Sequence, residues 1–430
     1  MAFQKKPVTG MRDILPAEMA VRAELQRIIR ETYRRYGFTE IETPVVEHIG
    51  NLTSKQGGEN EKLIFKVLKR GEKLSKELEL LQQAEEPSAE TLTEEGLRYD
   101  LTVPLSRYYA ANAAQLPQPF KALQIGPVFR ADRPQKGRFR QFVQCDIDIL
   151  GDATNLAEKE LILATTEALD RIGFGEYHYY VVINDRRFLR EMIRYAGLPE
   201  GDADEILITL DKADKIGAEG VDSELAGMGY SAESIGRLRE ILDSFGQGPE
   251  GVRAFGARIG SEDALAAGEN LAEIMDSIAG VQGRSIELRF DPTLVRGMGY
   301  YTGTIFEVKI DAFGSSVGGG GRYDRMVGKF TGQDVPAVGF SIGFERIMTI
   351  LMEGDYRKLM PQSVRSAWLI EKGMDAGRLG AILDEAGRAR AEGQQVLTVW
   401  MAKNKKFQKE SLGAQGYTEF RDFYNEEIKR

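Results

Sequence analysis

Two runs of the sequence, "FKALQIGPVFR" and "RQFVQCDIDIL", carry β-strand character, and the short "ADRPQKGRF" between them is punctuated by Pro134 and Gly137. A strand, a turn and a second strand in close succession predict an antiparallel hairpin, and this constrains the fold more than any other feature. In the second run Gln144, Asp146 and Asp148 alternate with Val143, Cys145, Ile147 and Ile149, so one face is polar and the other apolar. The turn is basic for a chain of formal net charge −9: Arg130, Arg133, Lys136, Arg138 and Arg140 stand against Asp132 alone. Such a hairpin would hold guanidinium groups above an acidic strand floor. It fits either a solvent-facing hairpin with ordinary charge alternation or an anion site beside a cation-recognising floor. The second reading has a chemical reason: arginine forks suit phosphate oxygens, and buried carboxylates suit an amine or imidazole.

At 430 residues the chain exceeds one ordinary core, which predicts two or three domains. Cys145 is the only cysteine, so an internal disulfide and a cysteine-based zinc cluster are excluded; with only His48 and His178 besides, so is a histidine-rich metal site. No apolar run reaches the ~20 residues of a membrane span, and "MAFQKKPVTGMRD" has no apolar signal segment, which predicts a cytoplasmic protein with no membrane partner. The acidic balance argues against broad nucleic-acid binding but leaves room for a local basic patch.

Val21, Leu25, Ile28, Ile29 and Tyr36 predict a helix over 16–36, stopped by Gly37, and "FTEIETPVVE" reads as a strand interrupted at Pro44. Residues 68–96 read as a charged, solvated insertion. "LRYDLTVP" reads as a strand with Arg98, Asp100 and Thr102 on one face. A helix is expected over 155–172, and from 173 to 284 one strand, "YHYYVVIN", precedes a mostly helical stretch. Strands return at "SIELRFDP", at "GYYTGTIFEVKI" with Tyr300 and Tyr301, and at "AVGFSIG". After Pro361 the pattern is β-α-β-α-β, a small α/β domain.

Neither standard nucleotide-binding reading holds. Gly328–Lys329 is followed by Phe330, so no hydroxyl stands ready for magnesium, and the G-x-G-x-x-G at Gly246, Gly248 and Gly251 follows a helix pattern and contains Pro249. Glycines 318–321 read either as a close approach to a ligand or backbone or as a flexible loop, and Arg346 sits at a strand-to-helix junction where a helix start assists anion binding.

In this order the stretches resemble the class II aminoacyl-tRNA synthetases. "TGMRDILP" with the helix and strand after it resembles motif 1, "FRADRPQKGRFRQF" motif 2 and "GFSIGFERI" motif 3. "RGMGYYTGTIFE" and "GGGGRYD" resemble the two histidine-specific stretches of the histidyl-tRNA synthetase family. The resemblance covers residues 5–350. It implies an α+β fold, an antiparallel sheet flanked by helices, with catalytic parts at 1–172 and 285–356, a helical insertion at 173–284 and a short anticodon-binding-like α/β domain at 361–430.

The resemblance further implies histidine–tRNA ligase activity, with ATP, Mg2+ held chiefly through phosphates rather than by protein, histidine and tRNA(His) as partners, and a homodimer through motif 1. It gives Arg130 and Arg296 catalytic roles at the α-phosphate, ATP to Arg130, Asp132, Arg138 and Arg346, and the tRNA acceptor end to Arg133 and Gln135. Asp100, Thr102, Gln144, Asp148, Arg296, Tyr300 and Tyr301 would hold histidine, with Asp148 and Tyr301 reading the imidazole. The chain departs from the family pattern at Gly299, where an acidic residue is common, at Val143, where histidine is common, and in its short C-terminal domain. Two other readings are a non-catalytic histidine sensor resembling the ATP phosphoribosyltransferase regulatory subunit, and a synthetase-like ligase not acting on tRNA.

Overall fold

The expected hairpin is formed and lies within the largest sheet, one strand in from its edge. The structure, a computed structural model, describes residues 3–53, 63–83, 88–134, 137–243, 245–284, 286–295, 300–311, 316–354 and 364–425. The chain divides into two compact units, Met1–Ile14 with Arg22–Asp355 and Leu15–Val21 with Tyr356–Arg430.

The first unit contains β1 (Thr39–Glu40), β2 (Val46–His48), β3 (Lys66–Leu68), β4 (Thr93–Leu97), β5 (Phe120–Phe129), β6 (Gln141–Leu150), β7 (Tyr179–Asp185), β8 (Leu288–Phe290), β9 (Thr304–Ile310), β10 (Ser316–Arg322) and β11 (Ala337–Gly343). Among the described residues eight of these form one sheet in the order β1-β5-β6-β11-β10-β9-β7-β8, antiparallel except for the parallel outer pairs β1–β5 and β7–β8. The remaining three make a small sheet, β2-β4-β3.

The first helix, Pro16–Arg35, begins with a proline whose missing N–H costs nothing there. It buries Leu25, Ile28, Ile29 and Tyr33, and Gly37 follows in the left-handed region at φ 82°. Pro44 separates β1 from β2, as its missing donor requires. The helix Glu72–Gln83 buries no residue, but residues 93–96, expected to be part of the same solvated stretch, belong to β4, where Gly96 is buried between β2 and β3.

Two strand assignments change. Arg98–Asp100 is not a strand, and a helix runs from Thr102 to Asn112. The Asp100 carboxylate accepts the Val103 N–H at 3.1 Å, and Pro104 lies in the first turn, where proline is tolerated. The tyrosines at 300 and 301 precede β9, which begins at Thr304. There the backbone is held from outside the strand, by Thr302 N–H to Arg322 O and Arg186 N–H to Gly303 O.

The strand that heads the helical stretch, β7, is part of the large sheet, paired with β9 and β8. Three of the helices that follow are capped by Asp185, Ser231 and Ser261, each accepting a first-turn N–H. Phe188, Phe255 and Phe290 pack at centroid separations of 5.2–5.7 Å, Phe255 edge-on to the other two, and join these helices to β8.

The C-terminal unit carries β12 (Arg365–Ile370), β13 (Gln395–Trp400) and β14 (Glu419–Phe423) in a parallel sheet of order β13-β12-β14, with helices Ala376–Ala391 and Lys405–Ala414 as crossovers. Its core is built on Trp368, Ile370 and Ala386 on one side and Ala367, Leu369 and Leu412 on the other.

Candidate active site

Cross-strand register creates the inner part of the site. On β6, Gln144, Asp146 and Asp148 stand opposite Gly343, Ser341 and Gly339 of β11. Small partners are obligatory there: a Cβ on Gly339 would lie 1.9 Å from the Asp148 Oδ1. The glycine run of β10 serves the same close approach, because a Cβ on Gly320 would lie 1.8 Å from the Gly339 carbonyl oxygen. The resulting cavity measures about 110 Å³.

Three carboxyl groups line it, those of Asp100, Asp146 and Asp148, each at most 3 % exposed. None is in an ion pair among the described residues. Asp148 accepts the Tyr323 hydroxyl at 2.6 Å; one Asp100 oxygen takes the Val103 N–H, and the other is buried with no partner among the described residues. Burial favours the protonated form, and the Arg130 charge only partly opposes this at Asp100 and Asp146. Burial pushes Asp100 up to about 6 and Asp148 up to about 7, the Tyr323 hydrogen bond opposing the rise at Asp148. Asp146 is driven well above the usual carboxylate range, by burial first and by the Asp148 charge second. Tyr300 and Tyr301 close the cavity, their rings 4.8 Å apart, and Tyr323 meets Tyr300 edge-on at 6.0 Å. This is a site for a small ligand with cationic or N–H-rich ends.

A larger cavity of about 440 Å³ adjoins it and shares Arg130, Gln144, Gly319 and Ser341 as walls. Arginines define its chemistry. Arg130 closes β5, its Nε donating to the Tyr99 carbonyl at 2.9 Å and its guanidinium 5.2 Å from the Phe142 ring. Arg138 and Arg346 line the same space, and Arg346 donates to the Ser316 carbonyl. Beside Arg346, Glu345 takes two hydrogen bonds from Arg22, at 2.6 and 2.7 Å, and one from the Val143 N–H at 3.3 Å. Burial pushes the Glu345 pKa up, but the Arg22 guanidinium overcomes this and holds it below the usual range. The first helix, motif 3 and the start of β6 are thereby fixed together. Arg130 and Arg346 are half-buried and Arg138 is exposed, and guanidinium groups so gathered stabilise polyphosphate charge.

The expected residues sort by cavity. Asp100, Thr102, Gln144, Asp148, Tyr300 and Tyr301 line the inner one; Asp132, Arg138 and Arg346 line the outer; Arg130 and Gln144 line both. Arg133 is exposed and lines neither. Arg296, Gln135 and Gly299 lie outside the described residues. Arg98, read as a member of the polar face, turns away into the framework, donating to the Thr43 and Pro127 carbonyls at 2.6 and 2.9 Å.

Sequence reading passed over Tyr323, Ser341, Glu307 and Asp211, all of which line the cavities. Tyr323 had a signal, its place directly after the glycine run, and Ser341 had another, the alternation Gly339, Ser341, Gly343. Asp211 had none, since it reaches the site from the helical stretch. No group of three or more His, Cys, Asp or Glu side chains is arranged to hold a metal among the described residues. No described helix is long and apolar enough to cross a membrane.

An antiparallel sheet with an arginine-bearing motif 2 hairpin against motif 3, and no P-loop, defines the class II synthetase fold. Residues 10–347 match the sequence pattern of the histidyl-tRNA synthetase family, to which the chain belongs. It is 44% identical over 427 residues to a histidine–tRNA ligase of Leifsonia xyli subsp. xyli, covering 98% of this chain and 95% of that protein. A histidine–tRNA ligase of Porphyromonas gingivalis is 41% identical over 355 residues, 80% of this chain and 76% of that one. The crystal structure of histidyl-tRNA synthetase from Nostoc sp. PCC 7120 is similar with a TM-score of 0.77 at 25% identity, covering 96% of this chain and 90% of that one. The Leifsonia alignment takes in almost the whole chain, so the C-terminal unit is shared with that relative.

Proposed function

We propose that the chain is an ATP-dependent histidine–tRNA ligase, which joins histidine to AMP with release of pyrophosphate and then transfers histidine to the 3′ end of tRNA(His). The observation that carries this reading is the pair of adjoining cavities, one acidic and amino-acid-sized, one arginine-lined, with Arg130 and Gln144 in the wall between them. A carboxylate lying at that wall would face an α-phosphate beside Arg130. Attack by its oxygen on phosphorus, with pyrophosphate leaving, needs positioning and charge stabilisation rather than a side-chain nucleophile.

In this reading Asp100, Thr102 and Gln144 take the α-ammonium group, and Asp148 with Tyr301 takes the imidazole. Arg130, Asp132 and Arg138 hold ATP, Arg346 clamps the far phosphates, and Arg296 faces the reacting centre. Arg133 and Gln135 meet the acceptor end. Mg2+ would arrive with the phosphates and lower their charge; Glu307 and Asp211 on the outer wall offer the hard oxygen donors that suit it. The same reading takes 173–284 as an insertion between catalytic parts at 1–172 and 285–356. It takes 361–430 as the anticodon-facing domain, and the enzyme as a cytoplasmic homodimer through motif 1. The arginines of the outer cavity favour a ligase over a histidine sensor, which has no need of them.

The test is histidine-dependent exchange of pyrophosphate into ATP, followed by charging of tRNA(His). Both activities are expected. Absence of exchange would overturn the ligase reading, and exchange without charging would point to another acceptor.

A further inference from the structure

Asp146 has no part in the scheme above, yet it is 3 % exposed, lines the inner cavity and stands next to Gln144 on the same strand face. The Gln144 side chain explains what it does. The amide nitrogen donates to the Ser341 hydroxyl at 2.9 Å and makes two long contacts of 3.4 Å, one to each Asp146 oxygen. The amide oxygen is buried and has no partner among the described residues. Gln144 lines both cavities, and that oxygen is the acceptor of its side chain that no described residue takes up. An ammonium group needs an acceptor there. With the amide turned over, its N–H donors would face the cation instead, and two acceptors behind it would be lost.

We propose that Asp146 is a positioning residue: together with Ser341 it takes the N–H side of the Gln144 amide and so turns the carbonyl oxygen toward the ligand's α-ammonium group. The inference rests on Gln144 as a holder of that group. Register supports it, because Ser341 stands directly opposite Asp146 and Gly343 opposite Gln144, leaving no side chain on β11 to displace the amide. The role belongs to the carboxylate, which can only accept; a carboxylic acid could equally donate to a turned-over amide oxygen, and an ammonium group bound beside it favours the ionised form.

Three ligands separate this role from general support of the pocket: histidine, histidinol, which keeps the ammonium group, and imidazolepropionate, which lacks it. In titration calorimetry Asp146→Ala is expected to weaken histidine and histidinol about tenfold and imidazolepropionate by less than about twofold. Asp146→Asn, which keeps an acceptor oxygen, is expected to lose less than Asp146→Ala. Ser341→Ala, a milder change, should show the same ligand pattern and provides the readout should Asp146→Ala fold poorly. In a Gln144→Ala background Asp146→Ala should add nothing, because its effect acts through the amide. Equal weakening of all three ligands, or additive effects in the double variant, would overturn the role of Asp146 alone. Failure of the wild-type protein to bind histidine would overturn the substrate reading and this inference with it.

Discussion

The two cavities share a wall but are built in different ways. The inner one is made by backbone: three strands held in register, glycines where side chains cannot fit, and carboxyl groups almost wholly buried. The outer one is made by long side chains at strand ends and at the start of a helix, partly open to water. Rigid placement suits discrimination among small ligands, where misplaced charge is expensive. Reaching arginines suit a flexible polyphosphate, whose charge must be met but whose identity needs less scrutiny.

Breaking the Arg22–Glu345 pair should have the largest effect on this contrast. Arg22→Ala leaves the buried Glu345 carboxylate with only the longer contact to Arg12 at 3.4 Å, and a loss of about 3 kcal/mol in denaturant unfolding is expected. The outer cavity should loosen with it, so that KM for ATP rises more than KM for histidine. Arg130 belongs to both cavities, and Arg130→Ala is expected to lower kcat for pyrophosphate exchange by about 10²–10³, as removal of one charge-stabilising donor does elsewhere. A rise in KM alone would move Arg130 out of the reacting centre.

A smaller effect sharpens the division. Asp148→Asn should raise KM for histidine about tenfold and leave that for ATP, whereas Arg346→Ala should do the reverse. Parallel changes in both variants would show that the cavities act as one site.

The last effect is electrostatic. The pKa of Asp148 rises on folding from 3.8 to about 7. The folded chain therefore holds that proton more tightly than the unfolded one, and stability of the ligand-free protein falls as pH rises from about 4 toward 7. Asp148→Asn should flatten the dependence of Tm on pH in that window, and an unchanged slope would assign the proton uptake elsewhere. Asp100, raised to about 6, contributes in the same sense.

Much of this arrangement was legible in the sequence. The hairpin announced itself through alternation and turn chemistry, and Arg130, Asp132, Arg138 and Arg346 all reach the outer cavity. What escaped depended on distant pairing. Nothing local to "AVGFSIG" says that Ser341 will face Asp146, because register is a property of two strands together. Tyr323 lies far from Asp148 along the chain, and only the folded sheet brings its hydroxyl to the carboxylate. The stretch after Arg98 misled for the opposite reason. Its alternation suits a strand, but the side chain of Asp100 competes for the backbone and Pro104 suits a first helical turn, so a helix starts at Thr102.

Gly339 carries a consequence for how such an enzyme can change over generations. One wall of the amino-acid pocket has already been reduced to bare backbone, so mutation there can only add atoms, and every added atom meets the Asp148 carboxylate. Drift toward a new substrate must therefore start from the other walls, at the acids of the facing strand or at Thr102 and the tyrosines. Shortening or neutralising the acids would lead to roomier sites for less cationic ligands.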